Sequence, residues 1–411
     1  MLWSRKSAPV HDRSRIVGLD LNASRVRGVS VGGGKYRPLL LDDPAEELVL
    51  FLACDRRTPE VGRTGYALSR KLPHVVCSNF LPSLARSQEW RVGRHSLHAE
   101  DALGISLTKV CTRVEAESEA AALVLPAYLA PDQVARAVVV ATRAKLPLKG
   151  TATAPLALAA SRAAAVLTGK QPANPSDGVV PFRPSAGGPG SVVVVDADEY
   201  GLSATVITID RAAAKLVSTA AWPRLGVRVW KDKLLDAVAD RCIRLCRRDP
   251  RDSADAEQAL FEQLDDALDR ARAGQRVSLT VRTAHWYQDL VQPPDEFDGY
   301  CSALARAAAE AIRDLAAGTN LSVPPRAVWL THDAGRLPGL PKAVHQNTPE
   351  GTAVEVLPPP AVPLAAAALV PRWLTGELPR THLDTAVPLE RVSGLGSRGS
   401  ETKPGTAHGQ K

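Results

Sequence analysis

One design occurs twice in this chain, and it limits what the chain can fold into more than any other feature. Residues 16–31 read IVGLDLNASRVRGVSV, and residues 191–210 read SVVVVDADEYGLSATVITID. Each is an apolar strand that ends near an aspartate, a short polar turn, and a second strand of alternating apolar residues. This period and punctuation predict two hairpins, with Asp20 and Asp196 at matching places before the turns. A carboxylate there can bond its own backbone, or it can be half of a phosphate and metal site.

The repeat extends further. ALVLPAYL (Ala122–Leu129) reads as a buried strand. Pro131-Asp132-Gln133 then opens a helix that runs to about Lys145, since proline suits the first helical position and an acid suits the positive helix end. In the second half AVWLT (Ala327–Thr331) is the matching strand, and AGRLPGL leads towards a short helix. An alanine-rich helix closes each half, Ala154–Leu167 and Val362–Pro371. Residues 231–275 read as strongly helical, with Gly274 as a stop.

The expected organisation is an N-terminus without structure (1–15), a first lobe (16–167), a Pro/Gly/Ser-rich insertion (168–190), a second lobe (191–384) and a polar tail (385–411). Apolar residues are 45% of the 411, enough for a sizeable core. Net charge is +7, spread without an aromatic-studded basic motif, which argues against nucleic acid as partner. No apolar stretch approaches the ~18 residues of a membrane span, and MLWSRKSAPVHDRSR lacks the apolar core of a secretory signal. The six cysteines are scattered, and Cys242 and Cys246 have no second pair to complete a zinc site. A cytoplasmic location with reduced thiols is the expectation.

Four segments, in order, resemble the nucleotide-binding domain of the 70-kDa heat-shock chaperones, which belongs to the actin-like ATPase superfold. VGLDLNAS (Val17–Ser24) is similar to the first phosphate loop of that family and VVVVDADEYGLS (Val192–Ser203) to the second. LVLPAYLAPDQVARAVVVATRAKLPL (Leu123–Leu148) is similar to the segment between them. VWLTHDAGRLP (Val328–Pro338) is similar to the adenosine segment. The resemblance covers roughly residues 15–380 and implies an α/β fold of two lobes around a central nucleotide cleft. It implies ATP and magnesium as cofactors, with Asp20 and Asp196 facing the metal, Asn22, Ala23 and Ser24 facing the phosphates, and Arg336 against adenine. A protein client or co-chaperone is the partner it implies. The family's peptide-holding C-terminal region has no counterpart in the tail.

The loops also depart from the family. Asp198, Glu199 and Tyr200 stand where it has glycines, His332-Asp333 where it has Gly-Gly, and Ala152 where it has a carboxylate that positions water; no counterpart of its catalytic lysine is evident. Glycine in such loops admits backbone N–H groups to the phosphate, and a carboxylate ~4 Å from a phosphate costs about 4 kcal/mol at an effective dielectric of ~20. Two functions are therefore expected. One is an ATP-binding, chaperone-like domain with weak or lost hydrolysis and no peptide-binding domain. The other is a non-enzymatic two-lobed interaction module that no longer binds nucleotide.

Overall fold

A computed structural model describes residues 15–92, 95–168, 189–319 and 324–389. The protein is α/β, built around two six-stranded sheets in which five strands follow the same order, the sixth being Glu47–Val49 on Arg25–Gly32 in one and Ala386–Pro388 on Ala213–Trp222 in the other. In the first half β1 (Ile16–Leu21), β2 (Arg25–Gly32) and β3 (Lys35–Pro38) form a meander, and β4 (Glu47–Val49) pairs with β2. A small sheet of β5 (Phe51–Ala53), β6 (Glu60–Val61) and β7 (Val76–Ser78) carries the short helix α1 (Arg63–Tyr66). A separate ladder of β8 (Glu89–Val92) and β9 (His95–His98) leads into α2 (Ala99–Glu115). The large sheet is completed by β10 (Ala121–Leu125), α3 (Pro131–Arg143) and β11 (Leu148–Thr153), with β10 parallel to β1 and β11 parallel to β10. Helix α4 (Ala154–Thr168) follows.

The second half repeats this plan. The meander is β12 (Gly190–Ala197), β13 (Leu202–Ile209) and β14 (Ala213–Trp222). An inserted layer follows, made of α5 (Val227–Cys246), α6 (Ala254–Arg272), the ribbon β15 (Val277–Arg282) and β16 (Tyr287–Gln292), and α7 (Pro294–Gly318). The sheet resumes with β17 (Ala327–Leu330), the single turn α8 (His332–Gly335), α9 (Leu340–Asn347) and β18 (Ala353–Val356), and α10 (Ala361–Leu374) comes next. β17 lies parallel to β12, and β18 parallel to β17.

Local chemistry accounts for these elements. The four valines of β12 are all buried, as a central strand covered on both faces requires. At the start of α3, Pro131 sits in the first turn and the Ala130 N–H donates to Gln133 Oε1 at 2.9 Å. Ser253 caps α6, and Gly274 follows its end with φ +69°, a conformation glycine adopts without penalty. The six cysteines are free. No helix among the described residues is long and apolar enough to cross a membrane.

The closing helices are exchanged between the sheets. α4 lies against β12, β13 and β14, whereas α10 lies across β1, β2 and β10. That approach is close: a Cβ on Gly18 of β1 would fall 1.9 Å from the Pro363 carbonyl oxygen, and one on Gly150 of β11 would fall 2.1 Å from the Trp373 indole. Backbone and a fully buried ring cannot yield cheaply, so Gly18→Ala and Gly150→Ala should each lower stability by about 1–3 kcal/mol or more. Urea midpoints test this, and unchanged midpoints would mean that α10 is not seated so closely.

Residues 376–389 correct one expected boundary. Ala386–Pro388, read from the sequence as part of an unstructured tail, is a strand, β19, paired with the edge of β14. Just before it, Leu383 bonds β11 through both its backbone groups, at 2.9 Å each to Thr151 and Thr153. This segment thus runs from the edge of one large sheet to the edge of the other. The cores of the expected insertion (169–188) and tail (390–411) lie outside the described residues.

Candidate functional site

The two hairpin turns meet face to face. In the first, Asn22 closes the turn: its Oδ1 accepts the N–H groups of Ser24 (2.9 Å) and Arg25 (3.0 Å). In the second, Asp198 holds the matching place, two residues after Asp196, and its Oδ1 accepts the N–H groups of Tyr200 (2.9 Å) and Gly201 (3.0 Å). Short Asx side chains are suited to this bonding. The other Asp198 oxygen crosses to the opposite half, where it accepts the Ala23 N–H at 3.0 Å and the Tyr128 hydroxyl at 2.5 Å. In return the Glu199 N–H donates to Ser24 Oγ at 2.7 Å. Asp198 is 2% exposed. Burial raises its pKa, and the four donors work against that rise.

A buried arginine lies beside this contact. The Arg25 side chain is 7% exposed and forms ion pairs with Glu47 (3.1 Å), with Asp20 (3.9 Å) and, most closely, with Asp333. Burial opposes charge on both Arg25 and Asp333. Yet Arg25, together with His332, Arg336 and Arg27, holds Asp333 well below the ordinary carboxylate range. Asp20 is less well compensated, and burial pushes it up to about 6 despite Arg25 and Arg27. Asp196 has no cationic partner within ion-pair distance among the described residues. It accepts the Thr331 hydroxyl at 2.6 Å. Burial, joined by the charges of Asp20, Asp198 and Asp333, pushes Asp196 up to about 8. Asp196 therefore keeps its proton to a higher pH than an ordinary carboxyl group.

The expected site residues are thus gathered in one place, and their polar groups are already bonded within the protein. Asp20 and Asp196 are near enough for the charge of one to raise the pKa of the other. Asn22, Ala23 and Ser24 spend their polar groups on turn closure and on the opposite hairpin. Arg336 is pinned by Asp265 (3.0 Å), Asp269 (3.6 Å) and Asp333 (3.7 Å). Ala152 is buried in β11 beside Leu383. Asp20 and Asp196 do not fit a hydrated magnesium ion here. The Asp20 carboxylate already faces the Arg25 guanidinium at 3.9 Å, and Asp196 accepts the Thr331 hydroxyl at 2.6 Å. No group of three or more His, Cys, Asp or Glu side chains among the described residues is arranged to hold a metal.

Above the turns a second network joins the halves. Lys231 of α5, 3% exposed, bonds Asp265 of α6 (2.7 Å) and the Tyr66 hydroxyl of α1 (3.0 Å), and Tyr66 also donates to Asp265 at 2.7 Å. Only about 30 Å³ of space is left among Ser24, Arg25, Tyr66, Glu199, Lys231 and Asp333, room for a water or two. A larger cavity of about 360 Å³ lies on the far side of Arg336, against Arg272, Lys342 and Asp298.

Sequence reading missed Arg25, Lys231, Asp265 and Tyr66. A single arginine after a turn, or a lysine and an aspartate within an amphipathic run, carries no local mark of burial. One signal was present: an Asx residue stands two positions after each hairpin aspartate. No known family model matches the chain, and none of the curated proteins does.

Proposed function

We propose that the chain is a two-lobed protein of the actin-like ATPase superfold, akin to the nucleotide-binding domain of the 70-kDa heat-shock chaperones. In this reading it serves as a non-enzymatic module that binds other proteins and does not bind nucleotide. The observation that carries the reading is the Asp198 carboxylate. It takes the Ala23, Tyr200 and Gly201 N–H groups, which are the kind of donors a phosphate loop offers its ligand. A carboxylate on these donors stands in for the anion, and the Arg25 guanidinium stands in for the cation. Strand order supports the fold assignment, since both halves share one topology and exchange their last helices. Hydrolysis also needs a positioned water and groups that stabilise charge on the transferred phosphoryl, and neither Ala152 nor the carboxylate-rich turns supply them.

The competing reading, ATP binding with little turnover, draws on the 360 Å³ cavity beside Arg336, which is within the size range of ligand pockets. Isothermal titration with MgATP, MgADP and adenosine separates the two. The expected result is no magnesium-dependent binding of either nucleotide up to millimolar concentration. Micromolar MgATP binding that is lost in Arg336→Ala would overturn the proposal. Adenosine binding alone would leave the phosphate positions self-occupied and assign the cavity to a base.

A further inference from the structure

A cavity of about 130 Å³ lies between the halves, next to the Asp198 contact, and shares Phe51 and Glu199 with the small space above the turns. Phe51, Ser69 and Arg70 line it from the first half, and Glu199, Arg228 and Phe261 from the second. Arg70 is already neutralised: it pairs with Asp232 and with Glu257 (3.6 Å), and its guanidinium stacks on Phe261 at 4.4 Å. Three polar groups of the wall are unused. Arg228 has no ion pair or hydrogen bond among the described residues. The Glu199 carboxylate has none either, although its backbone N–H is fixed to Ser24. Ser69 Oγ is buried without a partner. The neighbouring cation, Lys231, is engaged by Asp265.

A cavity edged by the exposed Arg228, by a Glu199 carboxylate that feels Arg228 and Lys231 but bonds neither, and by a spare hydroxyl, with two phenyl rings in its wall, complements a small molecule with both charges. We propose that this cavity binds a free α-amino acid of small side chain, its carboxylate meeting Arg228 and Ser69 and its ammonium meeting Glu199. The volume is close to that of a cavity that holds benzene, about 150 Å³, so large side chains are excluded. A plain anion would face the like charge of Glu199, and a plain cation would face the like charge of Arg228. Because each half supplies some of the wall, an occupant would tie the first half to the second.

The test is a thermal-shift series on the full chain with L-alanine, L-serine and L-valine at millimolar concentration, followed by titration calorimetry. N-acetyl-L-alanine and L-alaninamide each remove one of the two charges. At least one amino acid should raise the melting temperature by several degrees, and neither blocked form should. Arg228→Ala and Glu199→Gln should each weaken binding by about 10- to 100-fold, the scale of one charged hydrogen bond. Arg228 is exposed, and Glu199→Gln keeps the main-chain bond to Ser24, so both variants should fold. No shift with any of the three, or equal binding of the blocked forms, would overturn the proposal. The outcome does not depend on whether nucleotide binds elsewhere.

Discussion

Asp196→Asn is expected to stabilise the protein at pH 8 and above and to leave it nearly unchanged at pH 4. Burial and the surrounding carboxylates lift Asp196 from the ordinary 3.8 to about 8. Between those values the folded protein holds a proton that the unfolded chain has released. Stability therefore falls as pH rises across the window, and the full cost is reached above pH 8. Asparagine removes the titration and keeps an oxygen for the Thr331 hydroxyl. With about 1.4 kcal/mol for each pH unit, the gain at pH 8.5 should be on the order of 3–5 kcal/mol. Urea denaturation of both proteins at pH 4, 6 and 8.5 measures it. Parallel pH profiles for variant and parent, or a loss of stability at pH 8.5, would show that Asp196 is paired with a cation in solution.

Asp265→Ala should have a large effect of the opposite sign. Lys231 and Arg336 hold Asp265 down to about 2 against the pull of burial, so its contribution is complete above pH 4 and is lost as pH falls through about 2. Removing it leaves the almost fully buried Lys231 ammonium without a close ion pair, beside the Tyr66 hydroxyl and the Tyr66 and Phe261 rings. Breaking a buried pair typically costs 3–5 kcal/mol. Because water reaches the outer edge of Asp265, whose side chain is 36% exposed, about 2–4 kcal/mol is expected at pH 7. Adding Lys231→Met should recover much of the loss, since the uncompensated charge goes with it. A double-mutant cycle in urea reads this directly. A single variant within 0.5 kcal/mol of the parent would mean that the network adds nothing to stability.

Much of the fold was legible in the sequence because its central strands and closing helices carry strong periodic patterns. The valine run of β12, the two Asp-turn hairpins and the alanine-rich α4 and α10 all lie where the pattern places them. The strands of 51–98 were not legible. They are two to four residues long, too short for alternation to show, and tertiary packing holds them. β19 hides in the same way, as three residues at the margin of a polar stretch. At the site, the positions Asp20, Asn22 and Asp196 could be read but their occupation could not. The departure at Asp198 looked like damage to a phosphate loop when judged by charge alone. Its carboxylate instead closes its own turn and accepts an N–H of the opposite one, and that depends on a backbone group far away in the chain.

The exchange of α4 and α10 has a consequence for how the chain reaches this structure. Ribosomes deliver the first sheet early, yet the helix that covers β1 emerges only after most of the second half, and β19 follows it. Until then the close groove over Gly18 stays open to water and to other nascent chains, a state prone to misassembly. Folding must therefore wait for contacts between distant parts of the chain, which makes it slow. The same exchange means that a cut between residues 168 and 189 would not yield two independent domains. It would yield two fragments, each missing the helix that the other carries, and they should be soluble and structured only when they are made together.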